Sequence, residues 1–308
     1  MADSTRKPTR GSHAGRILTL SLHAFTQLVR MKVNYFLWVF AVIVICSNFF
    51  NLPQHLGPES AGLAILGNIK SVSLGSMTLF ALVISVVATA LLLPRDIEDR
   101  TLYTILAKPV PRIDYLVGRL LGVLLLVFVS LAVMDLLMVG VIHVRTGMIL
   151  EAQEQWAMAR GWPQEAIDSM REDTLAMGAN WELQAAVLAI FLKAAVTASL
   201  VLLCSTFSSS TLFSVVVGLF FYVTGHVQSF AIDFYLQGGE AGQTAFSQYV
   251  ALVFGLIIPN FQLFNVTDSL AQSVPLSFWL FAKLVVVACY HVLVYTLLAW
   301  WVFADKEV

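Results

Sequence analysis

Four ionisable side chains stand inside otherwise apolar runs of this sequence: Asp135, Lys193, His226 and Lys283. A charge in such a run is expensive, so it faces a protein interior or a wet path, pairs, or acts on a solute. Eight more, Arg95, Asp96, Glu98, Asp99, Arg100, Lys108, Arg112 and Asp114, crowd into residues 95–114 between two apolar stretches. Charges gathered so tightly make a handle that a second protein can grip. Signs of direct catalysis are missing. There is no HExxH motif, no nucleophile–base pattern and no pair of intramembrane aspartates, which counts against an intramembrane enzyme. The six His residues show no metal-ligand spacing. Cys46, Cys204 and Cys289 lie in apolar runs and read as small buried hydrophobes, neither a disulfide framework nor a metal site.

The elements that must position these groups are membrane spans. Of 308 residues 58% are hydrophobic and 12% charged, with a mean hydropathy of +0.81. A soluble domain carries about a quarter charged residues, so the reading is an all-α integral membrane protein. Six transmembrane helices are expected, at 33–52, 71–93, 116–142, 183–204, 212–236 and 276–303. Residues 1–15 are polar and basic and read as a disordered cytoplasmic tail, and 16–308 as one transmembrane domain. Leu18, Leu22, Phe25 and Val29 recur at helical spacing, which makes 16–32 an amphipathic helix, lying in the interface or extending the first span. Between the last two spans, the apolar part of 245–272 runs from Phe246 to Ile258 and stops at Pro259-Asn260. It is short for a span, so 245–272 reads as a re-entrant hairpin, with a seventh span as the alternative. No cleavable signal peptide is evident, and the first span serves as an uncleaved anchor.

Lys and Arg set the orientation. Six precede the first span and five lie in the handle and its exit, 11 of the 18 in the chain. The hydrophilic insert 143–182 has three Arg against seven acids. Both place the N-terminus and the handle in the cytoplasm and the insert outside, with six spans returning the C-terminus to the cytoplasm. The insert, with Trp156, Trp162 and Trp181, is either a docking site for an extracytoplasmic partner or a pair of amphipathic helices on the membrane.

Within the handle, Pro94 suits a helix start and Asp96, Glu98 and Asp99 suit its first turns. Leu102, Ile105 and Leu106 form an apolar patch, Lys108 suits the end, and Pro109 and Pro111 stop it. The sequence predicts a short cytoplasmic helix over 94–112 that grips a partner or rests on lipid headgroups. In the spans, alternating topology puts Asp135, Lys193, His226 and Lys283 at similar depth below the outer mouth. Two readings stand: a polar layer in which Asp135 pairs with Lys193 and lines or gates a path, or lysines that snorkel outward beside an aspartate that staples helices. Gly118 and Gly122 form a GxxxG at the start of span three that would permit close helix packing.

The stretch EDRTLYTILAKPVPRIDYLVGRLLG resembles the signature of type-two ABC transporter permeases, with Glu98, Arg100, Thr101, Pro109, Arg112 and Arg119 at the matching places. LSLHAFTQLVRMKVNYFLWVF resembles the family's leading amphipathic helix, and IIPNFQLFNVTDSLAQ its hairpin before the last span. The flavour is that of the copper-enzyme-maturation and gliding permeases. The resemblance implies six spans, a dimer with a second permease copy or homologue, and a location in the plasma membrane. It also implies docking on a separate cytoplasmic ABC ATPase that holds ATP and magnesium, with Glu98, Arg100, Thr101, Leu102, Ile105, Leu106, Pro109 and Arg112 forming the coupling helix. The absence of a GxxxxGK[ST] loop agrees with the nucleotide site lying in another chain, so no cofactor is expected in this one, and nucleic acid is not an expected partner. The implied function is a permease that exports a solute. The alternative is an anchor that recruits an ATPase for mechanical work.

Overall fold

The computed structural model describes residues 13–47, 58–98, 111–208, 210–236, 258–265 and 277–304. Among these residues the regular elements are all helical. They are α1 (His13–Val29), α2 (Lys32–Ser47), α3 (Pro58–Glu98), α4 (Arg112–Ala159), α5 (Gln164–Ala176), α6 (Trp181–Phe207), α7 (Thr211–Leu236) and α8 (Phe278–Ala304), with a 3-10 turn at Phe261–Phe264. Five stretches are long and apolar enough to cross a membrane: Ala64–Leu92, Arg112–Ala159, Gln164–Phe207, Thr211–Gln228 and Phe278–Ala304. That is compatible with a multi-pass membrane protein. The expected first span falls on α2, of which 16 residues are described.

The bundle is built around α6, which packs against α3, α4, α7 and α8. Its Ala186, Ala189, Ala194 and Ala198 are buried. A methyl at each contact lets neighbouring backbones come close, which is how helices gain dispersion energy where lipid removes the hydrophobic drive. Outward-facing Leu212, Val216, Phe220, Val223 and Val227 on α7, and Val286, Leu293 and Trp301 on α8, suit a lipid-facing surface.

Two helices overrun the expected spans. α4 has 48 residues, about 72 Å of helix against a hydrocarbon core of about 30 Å. Its part beyond Ile142 is one arm of a helical hairpin whose other arm is α5. The turn uses Gly161 at φ +67, a left-handed conformation that only glycine adopts without strain. Arg160 stacks 4.0 Å above Trp156, Trp156 meets Trp162 edge-on, and Thr174 Oγ1 donates to Gln153 Oε1 at 3.0 Å. The insert is therefore helical and continuous with span three. α3 likewise starts at Pro58, inside the expected loop, and runs through Pro94 to Glu98. The predicted start of a new helix at Pro94 is thus corrected: residues 94–98 are the last turns of α3. A proline inside a helix loses one backbone bond, but Leu92 and Asp96 on either side of Pro94 are both buried, and that packing holds the turn. Residues 99–110, most of the predicted coupling helix, lie outside the described residues, as does most of the 245–272 hairpin.

α1 begins at His13, three residues before the expected boundary, and packs along α4. The buried side of α1 is Ser21, Ala24 and Leu28, while Leu18 and Leu22 of the predicted apolar face are 61% and 49% exposed. The GxxxG of α4 is the reason. A Cβ on Gly118 would lie 2.6 Å from Leu20 Cβ, and one on Gly122 would lie 2.5 Å from Ala24 Cβ and 2.8 Å from the Ser21 carbonyl oxygen. The two helices touch backbone to backbone at these glycines. Gly122→Val is expected to cost roughly 1–3 kcal/mol through overpacking, read as a lower midpoint of thermal unfolding in detergent. Gly140→Ala, with nothing within 4 Å of its added methyl, is expected to leave the midpoint unchanged or raise it.

Candidate functional site

The two ends of the handle are rooted in one buried cluster. α3 delivers Asp96, and α4, starting after the connection, delivers Arg112, Asp114, Tyr115 and Arg119. Tyr115 and Arg119 are one helical turn apart and share a face. Both donate to the same Asp96 oxygen, the tyrosine through its hydroxyl and the arginine through a guanidinium nitrogen. Arg119 is 2% exposed and Asp96 3%. Ions so deeply buried must be paired, because removing one leaves the other as an uncompensated charge. The guanidinium also donates to Gln27 Oε1 of α1 at 2.9 Å and lies 5.4 Å from the centre of the Tyr115 ring.

Around this pair, the ends of four helices are tied. Asp114 accepts from Arg16 Nε at 3.1 Å, and His13 Nδ1 stands 3.0 Å from the same carboxylate, which fixes the start of α1 on α4. Arg112 donates to the Phe303 and Ala304 carbonyls at 2.7 and 2.6 Å. Those carbonyls end α8, where helical partners run out and the dipole favours a cation. Arg112 also lies over the Phe303 ring, and Phe303 stacks on Tyr115. Of the eight residues expected to couple to an ATPase, Arg112 is therefore an internal tie. Glu98 is the last residue of α3, and Arg100, Thr101, Leu102, Ile105, Leu106 and Pro109 lie outside the described residues.

The four intramembrane groups separate into different levels. Gln184 Nε2 donates to Asp135 Oδ1 at 3.1 Å, whereas Lys193 Nζ meets His226 Nε2 at 3.0 Å. The Asp135–Lys193 pair, one of the two readings open from the sequence, is not made. Helical rise explains it. Asp135 lies 23 residues from Arg112 and Gln184 lies 23 residues from Phe207, about 34 Å along antiparallel helices in each case. Lys193 lies 14 residues from Phe207 and His226 15 from Thr211, about 21 and 22 Å. The expected pair came from treating residue 142 as the outer end of a helix that in fact runs on to Ala159.

Lys193 is 6% exposed, and its partner must accept. His226 Nδ1 faces the Tyr222 carbonyl at 2.9 Å. A carbonyl requires a donor, so the proton is on Nδ1 and the Nε2 lone pair is left for the ammonium. Lys193 also lies 5.5 Å from the Tyr222 ring centre, and Phe261 of the 3-10 turn stacks on His226. That turn approaches α7 through Gly225, where a Cβ would lie 2.6 Å from the Pro259 carbonyl oxygen. Lys283 is exposed on α8 and takes no part in this cluster. Sequence reading passed over Lys70, buried within electrostatic reach of Glu182, because the loop was drawn too close to it. It also passed over Gln228, 7% exposed, whose two amide atoms have no hydrogen bond among the described residues. A glutamine near one end of an apolar run was the available signal.

Compared with models of known protein families and with curated protein sequences, the chain matches none.

In unfolding measurements, the losses caused by Asp135→Asn and Lys193→Met are expected to add within about 0.5 kcal/mol, as for sites without shared partners. Lys193→Met and His226→Phe are expected to couple, the double variant losing less than the sum. Coupling of Asp135 with Lys193 and additivity of Lys193 with His226 would reverse the assignment.

Proposed function

We propose that this chain is the membrane-spanning permease subunit of an ATP-binding-cassette exporter, set in the plasma membrane with both termini in the cytoplasm. The single observation that carries the proposal is the rooting of the handle. Both ends of the 99–110 connection enter a buried cluster whose ties reach α1, α3, α4 and α8. A load applied to that connection by a cytoplasmic ATPase would pass into several helices together, which is the task of a coupling helix. The likeness of residues 98–122 to type-two permeases supports the same reading.

On this reading ATP and magnesium belong to the partner ATPase, a second permease copy or homologue completes the transporter, and the chain itself catalyses no reaction. Lys193, His226 and Gln228 are then the polar groups available to a solute crossing the bundle. Among the described residues Gln228 has no hydrogen-bond partner, and unfilled buried amides call for one, such as another side chain, water or a solute.

The test is purification of the tagged chain from its native host, followed by reconstitution in liposomes. An ATP-hydrolysing subunit is expected to be retained in fixed ratio. Replacing residues 99–110 by a flexible Gly/Ser linker is expected to release it without lowering the thermal midpoint of the permease. Retention of the ATPase by the linker variant, or no ATPase with the native chain, would contradict coupling. ATP hydrolysis without movement of any solute would favour the anchor alternative.

A further inference from the structure

Beside the buried cluster lies a cleft of about 780 Å³ between α1, the start of α2 and the end of α3. We propose that it binds the phosphate-bearing headgroup of an anionic lipid. Its walls carry His23, Arg30 and Lys32, with Thr26, Gln27 and Leu91 between them. None of the three basic side chains is paired with a carboxylate among the described residues. Arg30 sits in the two-residue elbow between α1 and α2, and Lys32 opens α2 directly after it. The elbow is pinned by backbone bonds, Arg30 N–H to the Thr26 carbonyl and Met31 N–H to the Leu28 carbonyl. The cations are therefore carried by ordered backbone.

The chemistry of the walls selects a phosphate monoanion or dianion attached to something apolar. A guanidinium offers a planar fork to phosphate oxygens, and an ammonium adds a point charge. Gln27 gives its Oε1 to Arg119, so its NH2 group remains as a neutral donor. Thr26 already donates its hydroxyl proton to the Leu22 carbonyl, so it contributes shape and not a further donor. Leu91 and Met31 supply an apolar wall, which inorganic phosphate would not use. Depth agrees. Lys32 opens the apolar α2 and Leu91 stands one residue from the end of the apolar stretch Ala64–Leu92, so the cleft lies where hydrocarbon gives way to headgroups. The site needs only that these helices lie in a bilayer, and it does not depend on an ATPase. Through Gln27 the occupant would touch the residue that holds Arg119.

The probes are short-chain phosphatidylglycerol, short-chain phosphatidylcholine and inorganic phosphate, each titrated into the full-length protein in non-ionic detergent and read by native mass spectrometry. Phosphatidylglycerol is expected to bind more tightly than phosphatidylcholine, and inorganic phosphate not to displace it. Arg30→Gln and Lys32→Gln should each weaken phosphatidylglycerol binding roughly fivefold, and together about 25-fold. Arg160→Gln with Arg171→Gln, two cations of the distant hairpin, should leave it unchanged. Equal binding of the two lipids, equal loss in the hairpin variant, or native affinity in the Arg30/Lys32 variant would overturn the proposal. Inorganic phosphate binding as tightly as the lipid would make this a free-anion site and overturn it as well. Should the double variant fail to fold, the single variants decide, and native affinity in either would count against the site.

Discussion

Arg119 carries a permanent charge into a place almost without solvent, and the helix ends around it are arranged to satisfy that charge. Asp96 answers it from α3, Gln27 from α1, and Tyr115 from within α4 itself. Ions buried to this degree add little stability over an apolar pair of the same shape, yet losing one partner is severe. The pair is better understood as fixing which helix ends meet. It keeps the last turns of α3, beyond Pro94, on the first turns of α4, and so brings the two ends of the handle to one place. The backbone contact of α1 with Gly118 and Gly122 lies on the same stretch of α4. Removing the pair would leave that contact without its neighbour.

The opposite half of the bundle obeys helical rise. Side chains meet where residue counts from the handle end agree, which joins Asp135 to Gln184 and Lys193 to His226. This makes two polar levels about 14 Å apart along α6, in place of the single layer read from span boundaries. A buried lysine held by a neutral imidazole and an aromatic face keeps its positive charge turned toward the middle of α7.

Helix type, the membrane character and the presence of a charged connection after span two were legible in the sequence, because apolar runs and charge clusters are local signals. The rooting of that connection in a buried cluster was not. Helix ends were not. Pro94 looked like a start because proline suits a first turn, but the packing of Leu92 and Asp96 is tertiary and no local pattern announces it. The continuation of α4 past Ile142 was hidden by polar residues, since a helix that leaves a bilayer changes composition without changing backbone. The α1–α4 contact was half legible: GxxxG signalled a close approach, but the partner was unknown. The partner face turned out to be Leu20, Ser21 and Ala24 and not Leu18 and Leu22, because the glycines bring the two backbones together at that side of α1. Arg112 shows the same limit. Its charge suggested an outward contact, and the carbonyls it reaches are 191 and 192 residues away in the chain.

If the handle works as a coupling element, its rooting must be a true mutual dependence between the two ends. The most direct measurement is a double-mutant cycle on Asp96→Asn and Arg119→Gln, followed by equilibrium unfolding in detergent. Each single change should cost about 3–5 kcal/mol, and the double change should cost clearly less than their sum, with an interaction energy of about 1 kcal/mol or more. Additive losses would mean that α3 and α4 are held independently of one another, and the rooted handle would have to be abandoned.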